Sequence, residues 1–201
     1  MRHDDEVTGW RFDYMTPLGW HPWSAISMHS PNEFGGFEFG WYARARAVCL
    51  EYDHTAPAAG CSCGYYCVTE MSEELAQQLD WLNAARGLLL ENTKVPPDWF
   101  REDWFTITLS RVTVTNWRHR PKRATWSPGD DPPGTVRAER LRYDHIMVDR
   151  EWPAETVPQD ERLKGIGFPA PEYVPDLAEW VRAKGRAEID AILDDYLEGQ
   201  A

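Results

Sequence analysis

The sequence predicts an α+β protein of antiparallel strands with one packed helix, a zinc knuckle and a C-terminal helical arm. Three observations carry that expectation. Aromatic and β-branched residues alternate with polar ones in several short segments, as half-buried strands require. Residues 72–91 instead repeat their apolar positions every three and four residues, the period of a helix face. Finally, three cysteines and a histidine fall within fifteen residues as C-x4-H-x6-C-x-C, at Cys49, His54, Cys61 and Cys63. With 201 residues, 42% of them hydrophobic, the chain can build one ordinary core, with or without an appendage.

Residues 1–8 are charged and read as a loose start. Trp10, Phe12, Tyr14, Trp20 and Trp23 then alternate with polar residues and turn formers, which predicts short strands and loops. Gly35-Gly36 interrupts the pattern, and residues 37–50 resume it as a longer strand ending near Cys49. Residues 52–60, with Pro57 and Gly60, form a tight knuckle between metal ligands, and 64–68 return to strand. The helix over 72–91 has its apolar stripe at Leu75, Leu79, Leu82, Ala85, Leu88 and Leu89, while Glu73 and Glu74 sit where the positive helix end favours acids. Pro96-Pro97 stops any continuation. Residues 104–117 and 135–148 alternate as two strands of a hairpin, with the turn-rich stretch 129–134 in its long tip. Prolines at 153, 158, 169, 171 and 175 make 151–175 an extended connection. Leu177, Val181, Ile189, Ile192, Leu193 and Tyr196, interspersed with acids, predict an amphipathic helix over 176–199, with Gly185 as a candidate interruption. The expected division is a zinc-containing body, residues 1–148, followed by the connection and helix, residues 149–201.

Structural zinc takes four nitrogen and sulfur ligands, and Cys49, His54, Cys61 and Cys63 supply one such set. The expected cofactor is therefore one structural zinc per chain. The start Met1-Arg2-His3-Asp4-Asp5-Glu6 lacks a secretory apolar stretch, and no run of eighteen apolar residues occurs, which points to the cytoplasm and away from membranes. A reducing compartment favours thiols or metal thiolates over disulfides. A Cys61–Cys63 bridge would also be strained, because residues i and i+2 of an extended chain lie near the limit of bridgeable separation. Structural cysteines without metal are the plainer alternative. A catalytic ion would need an open coordination position with an acid or base beside it, and an iron–sulfur cluster suits the single histidine and the Cys-x-Cys spacing less well. Cys67 reads as a buried strand cysteine, with nothing local to make it a nucleophile partnered by His145 or His119.

The run Ala47-Val48-Cys49, then His54-Thr55-Ala56-Pro57, then Cys61-Ser62-Cys63-Gly64-Tyr65-Tyr66, resembles a family of small actinobacterial and actinophage proteins of unknown function. They share a Cys, a His-x-Ala-Pro and a Cys-x-Cys-Gly-Ile-Tyr-Ala, followed by a helix and strands ending in Arg-Ala-Glu. Here Arg137-Ala138-Glu139 stands where the resemblance places that last sequence. Tyr65 replaces the family's Ile and Cys67 its Ala, so Cys67 falls outside the implied ligand set. The resemblance spans roughly residues 9–148 and implies the metal site without implying an activity.

A net charge of −12 disfavours nucleic acid and anionic membranes at long range. One basic cluster stands against it: Arg118, Arg120, Lys122 and Arg123, joined by Arg137, Arg140 and Arg142 from the following strand. It is the candidate anion-binding patch, with a solvated loop balanced by the acidic C-terminal helix as the plain alternative. The eleven tryptophans alternate mainly at strand positions and read as core, not as a stacking platform. No P-loop, glycine-rich cradle or nucleophile constellation is visible. The expected function is a zinc-stabilised, non-enzymatic interaction or regulatory module with a protein partner, for which the resemblance admits a phage origin. The alternative is an enzyme or binder acting on a phosphate-bearing small molecule or nucleic acid through the Arg118–Arg142 patch.

Overall fold

A computed structural model of the chain describes residues 2–15, 23–24, 44–47, 52–59, 61, 63–92, 106–119, 127, 131–150 and 171–198. The two longest strands form where β-branched alternation is most sustained: β5 (Thr106–His119) and β6 (Thr135–Val148). They pair antiparallel from Thr108↔Val148 to His119↔Val136, the hairpin that the alternation predicts. Between Arg111↔His145 and Val112↔Tyr143 the register shifts, leaving Asp144 as the extra residue of a β-bulge. Strand β1 (Val7–Met15) lies antiparallel along the other edge of β5, and β4 (Tyr65–Val68) joins β6 while touching β1 at Trp10↔Val68. The pairings β1–β5, β5–β6, β6–β4 and β4–β1 therefore close on themselves. Short strands β2 (Trp23–Ser24) and β3 (Arg44–Arg46) extend β1 and β6, respectively. Of residues 37–50, expected as one longer strand, the described part is this three-residue β3 with Ala47. Strand β7 (Glu172–Tyr173) adds a parallel pair to β6, which makes the seven-stranded sheet mixed instead of wholly antiparallel.

Strand alternation sends successive residues to opposite faces, and here each face builds its own core. Inside the circuit lie Cys67, Val112, Val114, Val136, Ala138, Leu141, Tyr143 and Ile146. Outside it, Phe12, Tyr66, Leu109 and Met147 meet Leu75, Leu79 and Leu82 of helix α1 (Glu73–Asn92). Helix α2 (Leu177–Glu198) presents Leu177, Ala178 and Val181 to that same cluster, so two helices, not one, cover the outer face. Each starts at a side-chain cap: Leu75 N donates to Ser72 Oγ at 3.3 Å, and Glu179 N to Asp176 Oδ1 at 2.9 Å. Arg182 reaches back from α2 to Glu73 and Asp80 of α1.

Gly185, expected as an interruption, lies within an unbroken helix. Its role is close approach, since a Cβ built there would stand 2.7 Å from the Met71 carbonyl oxygen. That contact is with backbone and cannot swing aside.

The circuit also contains a buried charge pair. Arg11 and Asp13 share the inner face of β1, each 1% exposed. Arg11 Nε donates to both carboxylate oxygens at 2.9 and 2.8 Å, Nη2 to Oδ1 at 2.7 Å, and Nη1 to the Tyr66 carbonyl at 3.3 Å. Tyr143 Oη donates to Asp13 Oδ2 at 2.9 Å, and the guanidinium lies 4.5 Å from the Tyr66 ring centre. Burial pushes the Asp13 carboxyl up against the opposing pull of Arg11 and Tyr143.

Arg11→Met strands that carboxylate and should cost about 3–5 kcal/mol, whereas Arg11→Met/Asp13→Leu should recover most of it. Urea denaturation of both variants checks this, and a double-mutant cycle with no coupling would contradict it. Gly185→Ala forces α2 off Met71 and should cost about 1–3 kcal/mol, less the gain in helix propensity of about 1 kcal/mol. A thermal melt unchanged or raised by this substitution would show that the helices have room.

Candidate metal centre

Residues 52–59, between β3 and β4, are rich in turns and bends. Ala56, 1% exposed, and Pro57 are buried, and the peptide bond between them is cis. Cys61 N donates to Ala58 O at 3.3 Å, and His54 N to Tyr52 O at 3.0 Å, with the Tyr52 ring stacked near the His54 ring. Immediately after Cys63, Gly64 adopts φ +102° with its Cα against β6; a Cβ there would lie 3.0 Å from Ala138 O. A residue in that left-handed conformation and that little space is glycine for both reasons. The turn feeds straight into β4, which fixes where Cys61 and Cys63 project.

His54, Cys61 and Cys63 bring one ligand atom each within 4.8 Å of the others, all half-buried. His54 Nε2 lies 3.2 Å from Cys63 Sγ. The nitrogen–sulfur edge of a tetrahedral zinc site is about 3.5 Å, given metal bonds of about 2.0 and 2.3 Å, so the spacing suits a shared ion. Cys61 and Cys63 are not joined to each other. The three residues form a group that could hold a metal ion, and Cys49 lies outside the described residues.

The remaining described candidates lie on β4, β5 and β6. Arg137 Nη2 is bound to Asp131 Oδ1 at 3.0 Å and Oδ2 at 2.9 Å, and its Nη1 donates to Gly64 O at 3.3 Å. The same guanidinium lies 5.4 Å from the Tyr66 ring centre, so Arg137 ties the hairpin to the knuckle. Arg118 stands opposite Arg137 in the β5–β6 register. Arg140 and Arg142 are exposed, and Arg120, Lys122 and Arg123 lie outside the described residues. His145 pairs with Glu172 at 2.8 Å, and Asp144 accepts from Arg142. His119 and His3 both contact the Trp117 ring.

Cys67 is fully buried in the inner core, and burial pushes its thiol up to about 12. It lacks the thiolate character a nucleophile needs. A cleft of about 300 Å³ lies among α1, β5 and the start of α2. Its acids are engaged in the fold: Asp80 with Arg182, Asp149 Oδ1 with Ile107 N, and Asp176 at the α2 cap. None of the arginines from 118 to 142 lines it. Among the described residues, no helix is long and apolar enough to cross a membrane.

Sequence reasoning finds His54, Cys61 and Cys63 from their spacing. It misses the Arg11–Asp13 pair, whose only signal is two opposite charges at i and i+2 in an otherwise aromatic strand. Compared with protein-family models, curated proteins and solved structures, the chain matches none.

Alkylation with iodoacetamide at pH 8 should therefore modify Cys61 and Cys63 in metal-depleted protein and spare Cys67 until the chain unfolds. Mass spectrometry of the peptides decides it, and rapid native labelling of Cys67 would contradict its burial.

Proposed function

We propose that this protein is a zinc-stabilised, non-enzymatic interaction or regulatory module that presents a surface to a protein partner. The observation that carries this reading is the convergence of His54, Cys61 and Cys63 on one small volume in a turn docked against β6. In this proposal Cys49 supplies the fourth ligand, and the metal cross-links the approach to the knuckle with the start of β4. A site closed by four protein ligands organises a fold and leaves no position for substrate. The half-buried ligands and the engaged carboxylates of the cleft support binding over catalysis. The motif Cys49…His54-Thr55-Ala56-Pro57…Cys61-Ser62-Cys63-Gly64 is the ground for grouping the chain with the actinobacterial and actinophage proteins it resembles.

The enzyme reading, with a phosphate-bearing substrate held by the arginines, has less support. Arg137 is committed to Asp131 and the Gly64 carbonyl, and the cleft beside α1 lies among other residues.

Elemental analysis should find about one zinc per chain. Removing it with a chelator should lower the melting temperature by about 6–12 °C, equivalent to about 3 kcal/mol for a chain of this size, and adding zinc back should restore it. Zinc below a tenth of stoichiometry, or an unmoved melt after its removal, would reject the centre. For the interaction itself, capture from native-host lysate should recover a partner with the wild type and lose it with Cys61→Ser.

A further inference from the structure

Gly64 is the hinge of the ligand turn. It follows Cys63 directly, precedes the first residue of β4, and holds φ +102°. A Cβ placed there would meet Ala138 O of β6 at 3.0 Å and Pro57 Cβ at 3.2 Å, so its backbone lies against both the sheet and the stretch that begins with His54. The place of Gly64 therefore sets Cys63 relative to His54, whose Nε2 lies 3.2 Å from Cys63 Sγ. Yet glycine is the residue with the most conformational freedom to lose, and the β4–β6 pairing begins only at Tyr65↔Ala138, one residue beyond it.

Arg137 supplies the missing hold. Its Nη1 donates to Gly64 O at 3.3 Å, which extends the grip of β6 by one residue toward Cys63. The side chain that does this is itself fixed on two other sides. Nη2 donates to Asp131 Oδ1 at 3.0 Å and Oδ2 at 2.9 Å, and the Arg137 and Asp131 side chains are only 14% and 9% exposed. The guanidinium lies 5.4 Å from the ring centre of Tyr66, the registered partner of Arg137 on β4. Arg118, opposite Arg137 on β5, brings a like charge to the same row, and such neighbours repel. The Asp131 carboxylate offsets that repulsion and keeps the fork in place.

We infer that Arg137 is a positioning residue of the metal centre: by fixing the Gly64 carbonyl it holds Cys63 toward His54 before an ion arrives. The inference rests on the reading of His54, Cys61 and Cys63 as zinc ligands. Removing a group that orients ligands without touching the metal typically lowers affinity about 10–100-fold, because the ion then has to order the turn as it binds. Charge alone does not achieve this. A lysine keeps a positive charge beside Asp131, but it is a point charge and lacks the planar fork that serves a carboxylate and a carbonyl together.

Arg137→Lys should therefore lower zinc affinity about tenfold, measured by competition with a chromophoric chelator at a temperature where circular dichroism shows both metal-free proteins folded. Cobalt(II) in place of zinc reads the geometry: the wild type should give the intense visible bands of a tetrahedral thiolate site, and the variant weaker ones. A residue that only stabilised the fold would lower the melting temperature and leave the affinity and cobalt spectrum of the folded protein unchanged. Should Arg137→Lys disturb folding, Arg137→Met/Asp131→Asn, which strands no charge and offers no donor to Gly64, should show the same loss of about tenfold. Arg118→Gln removes a positive charge from the same row, leaves the Arg137 fork in place, and should leave affinity unchanged. An equal loss in Arg118→Gln, or unchanged affinity in the Arg137 variants, would overturn the positioning role alone. Wild-type protein that takes up neither zinc nor cobalt would overturn the zinc reading itself.

Discussion

The closed circuit of strands depends on the salt bridge at its centre. Arg11 and Asp13 lie two residues apart on β1 and use that spacing to share one face. From there they reach β4 through the Tyr66 carbonyl, β6 through the Tyr143 hydroxyl, and β5 through Thr108, whose Oγ1 donates to the Asp13 carbonyl. Burial works against the Arg11 charge, yet Asp13, Tyr143 and Tyr66 together outweigh it and the guanidinium stays protonated. A pair of this kind adds little net stability over a hydrophobic replacement, because desolvation offsets the attraction. What it adds is discrimination: only one arrangement of β1, β4, β5 and β6 satisfies all of its hydrogen bonds.

Around that centre, local irregularities shape the sheet. The Asp144 bulge re-aims β6 between its two halves, so that Met147 packs under the helices while Arg140 and Arg142 face solvent. At the far end, Asn116 takes a φ of +57° on β5, and its side chain donates to Glu139 at 3.0 Å. Glu139, 3% exposed, is also bound by Arg2. The basic face, the helical cover and the knuckle thus occupy separate parts of one sheet.

Much of this was legible in the sequence. Helix α1, the β5–β6 hairpin and α2 follow from periodicity, because among the described side chains of each one face is buried, as at Leu75, Leu79 and Leu82 of α1 and Leu177, Ala178 and Val181 of α2. The Cys-x-Cys and His54 spacing exposes three candidate ligands directly. What resisted reading is non-local. Gly185 looks like a helix breaker until Met71 is placed beside it, and Arg137 looks like part of a basic patch until Asp131 and Gly64 claim it. The closure of β4 onto β1 likewise belongs to the register and not to either segment.

Arg137 also has a mechanical consequence. One side chain grips the base of the hairpin tip at Asp131 and the peptide carbonyl that follows Cys63, while lying over Tyr66. The base of the hairpin tip and the turn that carries Cys63 are thus joined through one guanidinium.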